Sequence, residues 1–267
     1  MNPPTLAVLR AQAEGAGARD PHFLLQLADD PRAGAQALLA RCLRRAGARS
    51  AEDLRLRRML LHEQAAMGMG FARVAGVDEA GRGPLAGPLV AAAVVLAGPL
   101  PGVDDSKRLT EEVRERLYAE LHAGGHTLGV GIVVPDQLDR MGVQAANYHA
   151  MGLALAALAP AADYALVDGF QVPGLAVPHR RLIKGDRRSQ SVAAASIVAK
   201  VTRDRMMAEA HEAYPQYNFA RHKGYGTAEH LAALAQHGPC PLHRRSFAPV
   251  GDTVPRTGAL FEPAAEA

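Results

Sequence analysis

The run Pro88–Leu96, PLVAAAVVL, carries no charged or hydrogen-bonding side chain. Side chains of a strand alternate between two faces, so a strand apolar at every position has to be covered on both. The chain must therefore supply layers on either side of this run, and an α/β architecture is the expectation.

The neighbouring sequence supplies candidates for those layers. Phe71–Asp78 reads as a strand, and the loop AGPLPG separates the apolar run from a helix in LTEEVRERLYAELHAGG. There Thr110 suits the N-cap, Glu111 and Glu112 the first turn, and Gly124 the end. HTLGVGIVV is a third strand stopped by Pro135, 142–159 a helix, and DYALVD a fourth strand ending in Asp168. HRRLIK, 179–184, is a fifth strand, followed by a long helix over about 190–214 and a short one from a Thr227 cap to about His237. Strands alternating with helices predict a sheet covered on both faces.

Residues 1–70 read differently. DPRAGAQALLARCLRRAGA and SAEDLRLRRMLLHEQAAM place Leu and Ala at helical spacing among many Arg, which predicts a helical extension hinged at Gly68 and Gly70. A packing arm is the plainer reading, and a nucleic-acid arm built on Arg41, Arg44, Arg45 and Arg49 is the alternative. The main domain is expected over 71–250, with 251–267 a disordered tail. No charge-free apolar stretch is long enough for a membrane helix, and the start lacks a secretory pattern, so a cytoplasmic protein is expected. Cys42 and Cys240 lie far apart without metal-ligand spacing and are expected as reduced thiols. A net charge of +3 does not by itself select a polyanionic partner. Nothing identifies a protein partner, and a monomer is the default.

Three strand ends terminate in acid: Asp78 with Glu79, Asp168, and Asp186 two residues past its strand. One such acid is an ordinary turn residue, but acids on neighbouring strands converge at one sheet edge. Packed carboxylates repel one another, and protonation or divalent cations relieve the repulsion. An all-oxygen set without His or Cys favours Mg²⁺ or Mn²⁺ over zinc. Because strand side chains alternate, Asp78 and Glu79 can share a site only if the strand breaks between them, and Ala80-Gly81-Arg82-Gly83-Pro84 is expected to supply the break. The glycines would also let main-chain N–H groups approach a sugar-phosphate strand beside the Arg82 guanidinium, although a tight turn with a solvated Arg remains the alternative.

Two metal ions held by carboxylates can hydrolyse a phosphodiester without a side-chain nucleophile. GRGPLAG fits neither a Walker loop nor GxGxxG, and no GxSxG occurs. Lys107, and Arg180, Arg181, Lys184, Arg187 and Arg188 around Asp186, are solvated side chains or phosphate contacts. Ser189 and Ser191 open the long helix, where Lys200 follows Ser196 by four residues; phosphate contacts are an expectation there too. Tyr225, between two glycines in HKGYGT, either packs on a neighbouring loop or stacks on a sugar or base.

Six blocks in order, VAGVDEAGRGPLAGPLVAAAVVL, DDSKRLT, LVDG, KGDRRSQSVAAASIVAKVTRDR, HKGYGT and HRRSFAPV, resemble bacterial ribonuclease HII over about 71–250. The helical segment resembles an extension carried by some longer members. The resemblance implies a ribonuclease H-like fold: a central five-stranded mixed sheet flanked by helices, with a helical C-terminal portion. It implies hydrolysis of RNA in RNA–DNA hybrids and incision 5′ of single ribonucleotides in duplex DNA, leaving 3′-hydroxyl and 5′-phosphate ends. Asp78, Glu79 and Asp168 would be metal ligands and Asp186 the fourth acid, binding Mn²⁺ or Mg²⁺. Gly81, Arg82 and Gly83 would read the ribose 2′-hydroxyl, Tyr225 the following deoxyribose, and Lys107, Lys184 and Lys200 the phosphates. The related ribonuclease HIII shares the acids and the glycine turn but has a sheet-containing N-terminal domain, unlike the helical reading of 1–70. An inert hybrid-binding protein would gain nothing from four acids facing phosphates.

Overall fold

The computed structural model describes residues 4–48 and 50–253. Arg49, and residues 254–267 of the expected tail, lie outside the described residues. Five helices come first: α1 (Leu6–Glu14), α2 (Pro21–Asp29), α3 (Ala33–Arg45), α4 (Ala51–Met59) and α5 (Leu61–Gly68). The sequence reading named no helix over α1 or α2. Asp20 accepts from the His22 N–H with Pro21 at the first helical position, and Ser50 and Asp53 cap α4 reciprocally. The apolar faces, with Leu9, Phe23, Leu27, Leu39 and Leu61, bury one another in a core of their own.

Then follow β1 (Val74–Ala80), β2 (Leu89–Val95), α6 (Glu111–Ala123), β3 (Thr127–Val133), α7 (Pro135–Met141), α8 (Val143–Ala156), β4 (Tyr164–Asp168), β5 (His179–Leu182), α9 (Gln190–Ala213), α10 (Phe219–His222), α11 (Ala228–His237) and α12 (Val250–Thr253). The strands form one mixed sheet in the order β3-β2-β1-β4-β5. β1 runs antiparallel to β2 and parallel to β4, which is parallel to β5. This is the five-stranded sheet with flanking helices that the resemblance implied.

β2 meets the demand made by its composition. Ala91 and Ala93 pack with Ala146, Ala150 and Met151 of α8, while Ala92 and Val94 pack with Leu117 and Leu121 of α6 and the small residues of α9. The Thr110 and Thr227 hydroxyls each accept from the N–H three residues on, as N-caps. Pro135 ends β3 as expected but also opens α7, a helix the sequence reading did not name, because proline suits the first helical turn. α9 lies against β1 so closely that a Cβ on Gly76 would sit 2.0 Å from the Ser191 carbonyl carbon. That contact sets the long helix beside the strand that carries Asp78.

Candidate active site

β1 and β4 are parallel, so Asp78, Glu79 and Asp168 all arrive at one edge of the sheet. The expected strand break between Asp78 and Glu79 does not occur, because β1 continues to Ala80. The sheet divides instead. β1 stays paired with β2 as far as Ala80↔Val90, but its ladder with β4 ends at Val77↔Val167. Asp78 and Asp168 follow that last pair abreast, on the face covered by α9, while Glu79 takes the α8 face. Both faces border the parted edge, and Asp78 and Glu79 line one crevice there without a kink. The Asp78 carboxylate also accepts from the Glu79 N–H at 2.7 Å.

Asp186 is delivered by the short 3₁₀ turn Gly185–Arg187 after β5, pinned where the Gly185 N–H donates to Asp168 Oδ1 at 2.6 Å. All four acids are perturbed in one direction. Burial, then the charges of Glu79 and Asp168, pushes Asp78 well above the ordinary carboxylate range. Glu79 is raised to about 7 by burial, against the opposing pull of Arg82 and Lys107. Burial raises Asp168, and burial with the charges of Asp105 and Asp168 raises Asp186 to about 6. Glu79 Oε2 is buried without a hydrogen-bond partner. The buried Asn147 amide lies near enough to favour the Glu79 carboxylate but makes no formed hydrogen bond. Among the described residues no three His, Cys, Asp or Glu side chains are gathered tightly enough to grip an ion as they stand.

A crevice of about 380 Å³ is lined by Asp78, Glu79, Gly81, Arg82, Gly83, Lys107, Lys200 and Tyr225, among others, but not by Asp168 or Asp186. Lys107 faces Glu79, Asp168 and Asp186 electrostatically. Lys200 is paired with Asp204 at 2.6 Å. Lys184 does not line the crevice; it is exposed, in the left-handed region at φ 55°, two residues before Asp186. Arg82 has partners within the protein: Glu79 at 3.6 Å, Gln144 at 3.3 Å and the Phe170 ring 4.6 Å below its guanidinium. Ser189 and Ser191, expected as phosphate contacts, are fully buried and donate to Glu63 of α5. They join the N-terminal helices to α9 and have no surface to offer a phosphate.

The glycine turn is held from behind by residues the sequence reading did not single out. Fully buried Arg244 donates to the carbonyls of Gly81 at 2.5 Å, Arg82 at 3.0 Å and Gly87 at 2.9 and 3.0 Å. Arg203, also buried, donates to the carbonyls of Pro88 and Ala86. A trans peptide points its N–H opposite its C=O, so engaging the Gly81 and Arg82 carbonyls turns the N–H groups of Arg82 and Gly83 away from Arg244. Gly81 sits at φ 90°, and a Cβ there would lie 2.1 Å from Arg203 Nε. Gly83 needs no special backbone angle and has open space around it.

Tyr225 is 47 % exposed, with the Arg203 guanidinium 5.9 Å from its ring. A buried relay fixes its backbone. The Cys240 N–H donates to His243 Nδ1, so His243 carries its proton on Nε2 and donates to His230 Nε2 at 3.0 Å. His230 Nδ1–H then donates to the Tyr225 carbonyl at 2.9 Å. Burial pulls His243 down to about 4, which keeps the relay neutral. Asp105 was also missed. It is buried, accepts from Arg187 at 3.0 Å and adds negative charge beside Asp186. The blocks HRRSFAPV and DDSKRLT contain Arg244 and Asp105, but nothing local in either block marks them as buried.

A family model described as ribonuclease HII matches residues 75–250, and one described as the ribonuclease HII N-terminal domain matches residues 6–67. The chain belongs to the ribonuclease HII family. A ribonuclease HII of Geobacillus kaustophilus is 48% identical over 252 residues, covering 94% of this chain and 96% of that one. The fold is similar to a solved ribonuclease H2 of Pyrococcus horikoshii, at TM-score 0.56 and 28% identity over 68% of this chain and 97% of that one. It is also similar to Bst-RNase HIII solved in complex with Mn²⁺, at TM-score 0.52 and 21% identity over 68% of each chain. Family membership makes the protein a ribonuclease H, an endonuclease that hydrolyses RNA paired with DNA, of a divalent-metal-dependent kind. No helix among the described residues is long and apolar enough to cross a membrane.

Proposed function

We propose that the enzyme incises 5′ of a single ribonucleotide embedded in duplex DNA as well as within hybrid tracts, leaving 3′-hydroxyl and 5′-phosphate ends. One observation carries this reading. The same crevice is lined by Asp78 and Glu79, by the Gly81–Gly83 turn and by Tyr225, so cleavage groups adjoin groups suited to a ribose and to the sugar after it.

In this reading Asp78, Glu79, Asp168 and Asp186 hold Mn²⁺ or Mg²⁺. The donor set fits, being all oxygen, with carboxyls that burial and repulsion press toward neutralisation and with Glu79 Oε2 buried and unpartnered. Bound there, divalent cations activate water and stabilise the leaving oxygen. The chain's own residues choose the bond. The Arg82 and Gly83 N–H groups meet the 2′-hydroxyl, the group that separates RNA from DNA, without reading a base. The Tyr225 ring stacks on the following deoxyribose, and Lys107, Lys184 and Lys200 neutralise phosphates. A cytoplasmic setting accords with the buried free thiols Cys42 and Cys240.

The test is a labelled DNA duplex carrying one ribonucleotide, incubated with Mg²⁺ or Mn²⁺. A single nick on the 5′ side is expected. Cleavage of long hybrids with this duplex left intact would refute the single-ribonucleotide activity and point to ribonuclease HIII-like specificity.

A further inference from the structure

A second crevice, of about 320 Å³, opens at the seam between the N-terminal helices and the sheet domain. It is lined by Leu25, Ala28 and Asp29 of α2, Arg58 of α4, His62 of α5, and Arg187 and Arg188 beside Asp186. Three arginines thus line a cavity that has one lining carboxylate. That carboxylate, Asp29, is paired with Arg188, and Arg187 is paired with Asp105 behind it. Arg58 donates to the Ala28 carbonyl at 3.1 Å. Each guanidinium has five N–H donors, so the three retain donors beyond those the protein uses.

His62 supplies an independent sign of a ligand. It is 4 % exposed, it lines the same cavity, and its Nδ1 is buried without a hydrogen-bond partner. A buried polar nitrogen left unpaired costs on the order of an unmade hydrogen bond, and native proteins seldom leave one without a reason. The surrounding positive charge suits an anion rather than a cation or an apolar group. Arg188 and Arg180 add to burial in holding the imidazole neutral, at about 4, and an anion in the crevice would offset both charges.

We infer that this seam is a phosphate-binding subsite through which the N-terminal helices grip the backbone of the nucleic-acid strand being cut, Arg58 and His62 acting with Arg187 and Arg188. The inference rests on the proposed function, which puts a scissile phosphate at Asp186. Arg187 is the next residue in the chain, its Cα about 3.8 Å on, so a strand leaving the acids on that side meets the seam. Phosphate geometry matches the planar guanidinium fork, and no base would be read. The extension therefore adds affinity without altering the chemistry.

The experiment measures binding of a fluorescein-labelled RNA–DNA hybrid in chelator over a series of salt concentrations. It compares wild type with Arg58→Gln, His62→Asn and Arg10→Gln, whose side chain does not line the crevice. Arg58 is exposed and its variant should fold; His62 is buried, so Arg58→Gln decides if His62→Asn does not fold. Arg58→Gln should bind about tenfold more weakly and reduce the salt slope by about one, with Arg10→Gln unchanged. Equal slopes for wild type and Arg58→Gln, or an equal loss in Arg10→Gln, would overturn the subsite. If inorganic phosphate shifts the His62 ring signal by NMR while Arg58→Gln binds the hybrid as wild type does, the seam holds free anions and the strand contact is wrong. Failure of wild type to bind any hybrid would instead bring down the proposed function, and the subsite with it.

Discussion

Replacing Arg244 by Met removes four hydrogen bonds and one buried charge at a single position behind the glycine turn. The carbonyls of Gly81, Arg82 and Gly87 lose this donor, at about 1–3 kcal/mol each. Removing the charge returns part of this, because burial with the nearby Arg203 guanidinium already pulls Arg244 down to about 9. The balance is about 2–4 kcal/mol of lost stability. At about 2–4 °C per kcal/mol for a chain of this size, the melting temperature should fall by about 5–15 °C. Stability is only half of the expectation. Freed carbonyls let the turn rotate, so the Arg82 and Gly83 N–H groups lose their outward aim while the acids keep their places. Below its melting temperature the variant should therefore lose incision at a lone ribonucleotide at least tenfold more than it loses cleavage of a long hybrid. Circular dichroism melts and single-turnover cleavage of both substrates read the two effects. A variant that melts within about 2 °C of wild type and keeps its ribonucleotide preference would refute the clasp.

Three further outcomes are expected. Asp78→Asn should keep the circular dichroism spectrum and lose cleavage, and wild-type rates with Mn²⁺ would remove Asp78 from the metal site. Tyr225→Ala should lower incision at a single ribonucleotide more than it lowers duplex binding, and equal losses would remove its role at the sugar junction. In metal-free protein Glu79, raised from 4.5 to about 7 chiefly by burial, holds a proton between those values that the unfolded chain has released, so stability falls as pH rises through that window. In chelator the wild-type melting temperature should drop more between about pH 5.5 and 7.5 than that of Glu79→Gln, and equal slopes would refute this.

The convergence of the acids at one sheet edge was legible because their position announces it. Asp78, Glu79 and Asp168 each end an apolar run, and a strand end is where a side chain leaves the core. How Asp78 and Glu79 come to line one crevice was misread for a specific reason. A strand considered alone can redirect a side chain only by kinking, whereas a sheet can also part between two strands, as β1 and β4 do after Val77 and Val167. Ser189 and Ser191 looked like surface groups at a helix start. The partner that buries them is Glu63, distant in sequence, and no local pattern announces it.

By itself the sequence determined the alternation of strand and helix, the two-faced burial of β2, the capped helix starts and the acids at the strand ends. These follow from periodicity and local hydrogen-bonding chemistry, which act over a few residues. Tertiary structure alone decided which groups become buried together: Arg244 behind the Gly81–Gly83 turn, the His243–His230 relay under Tyr225, and Asp105 beside Asp186. A charged side chain reads as surface until the fold gathers enough carbonyls or counter-charges to replace its water. For Arg244 and Gly81 that gathering joins segments more than a hundred residues apart, and the local sequence at either end carries no record of the other.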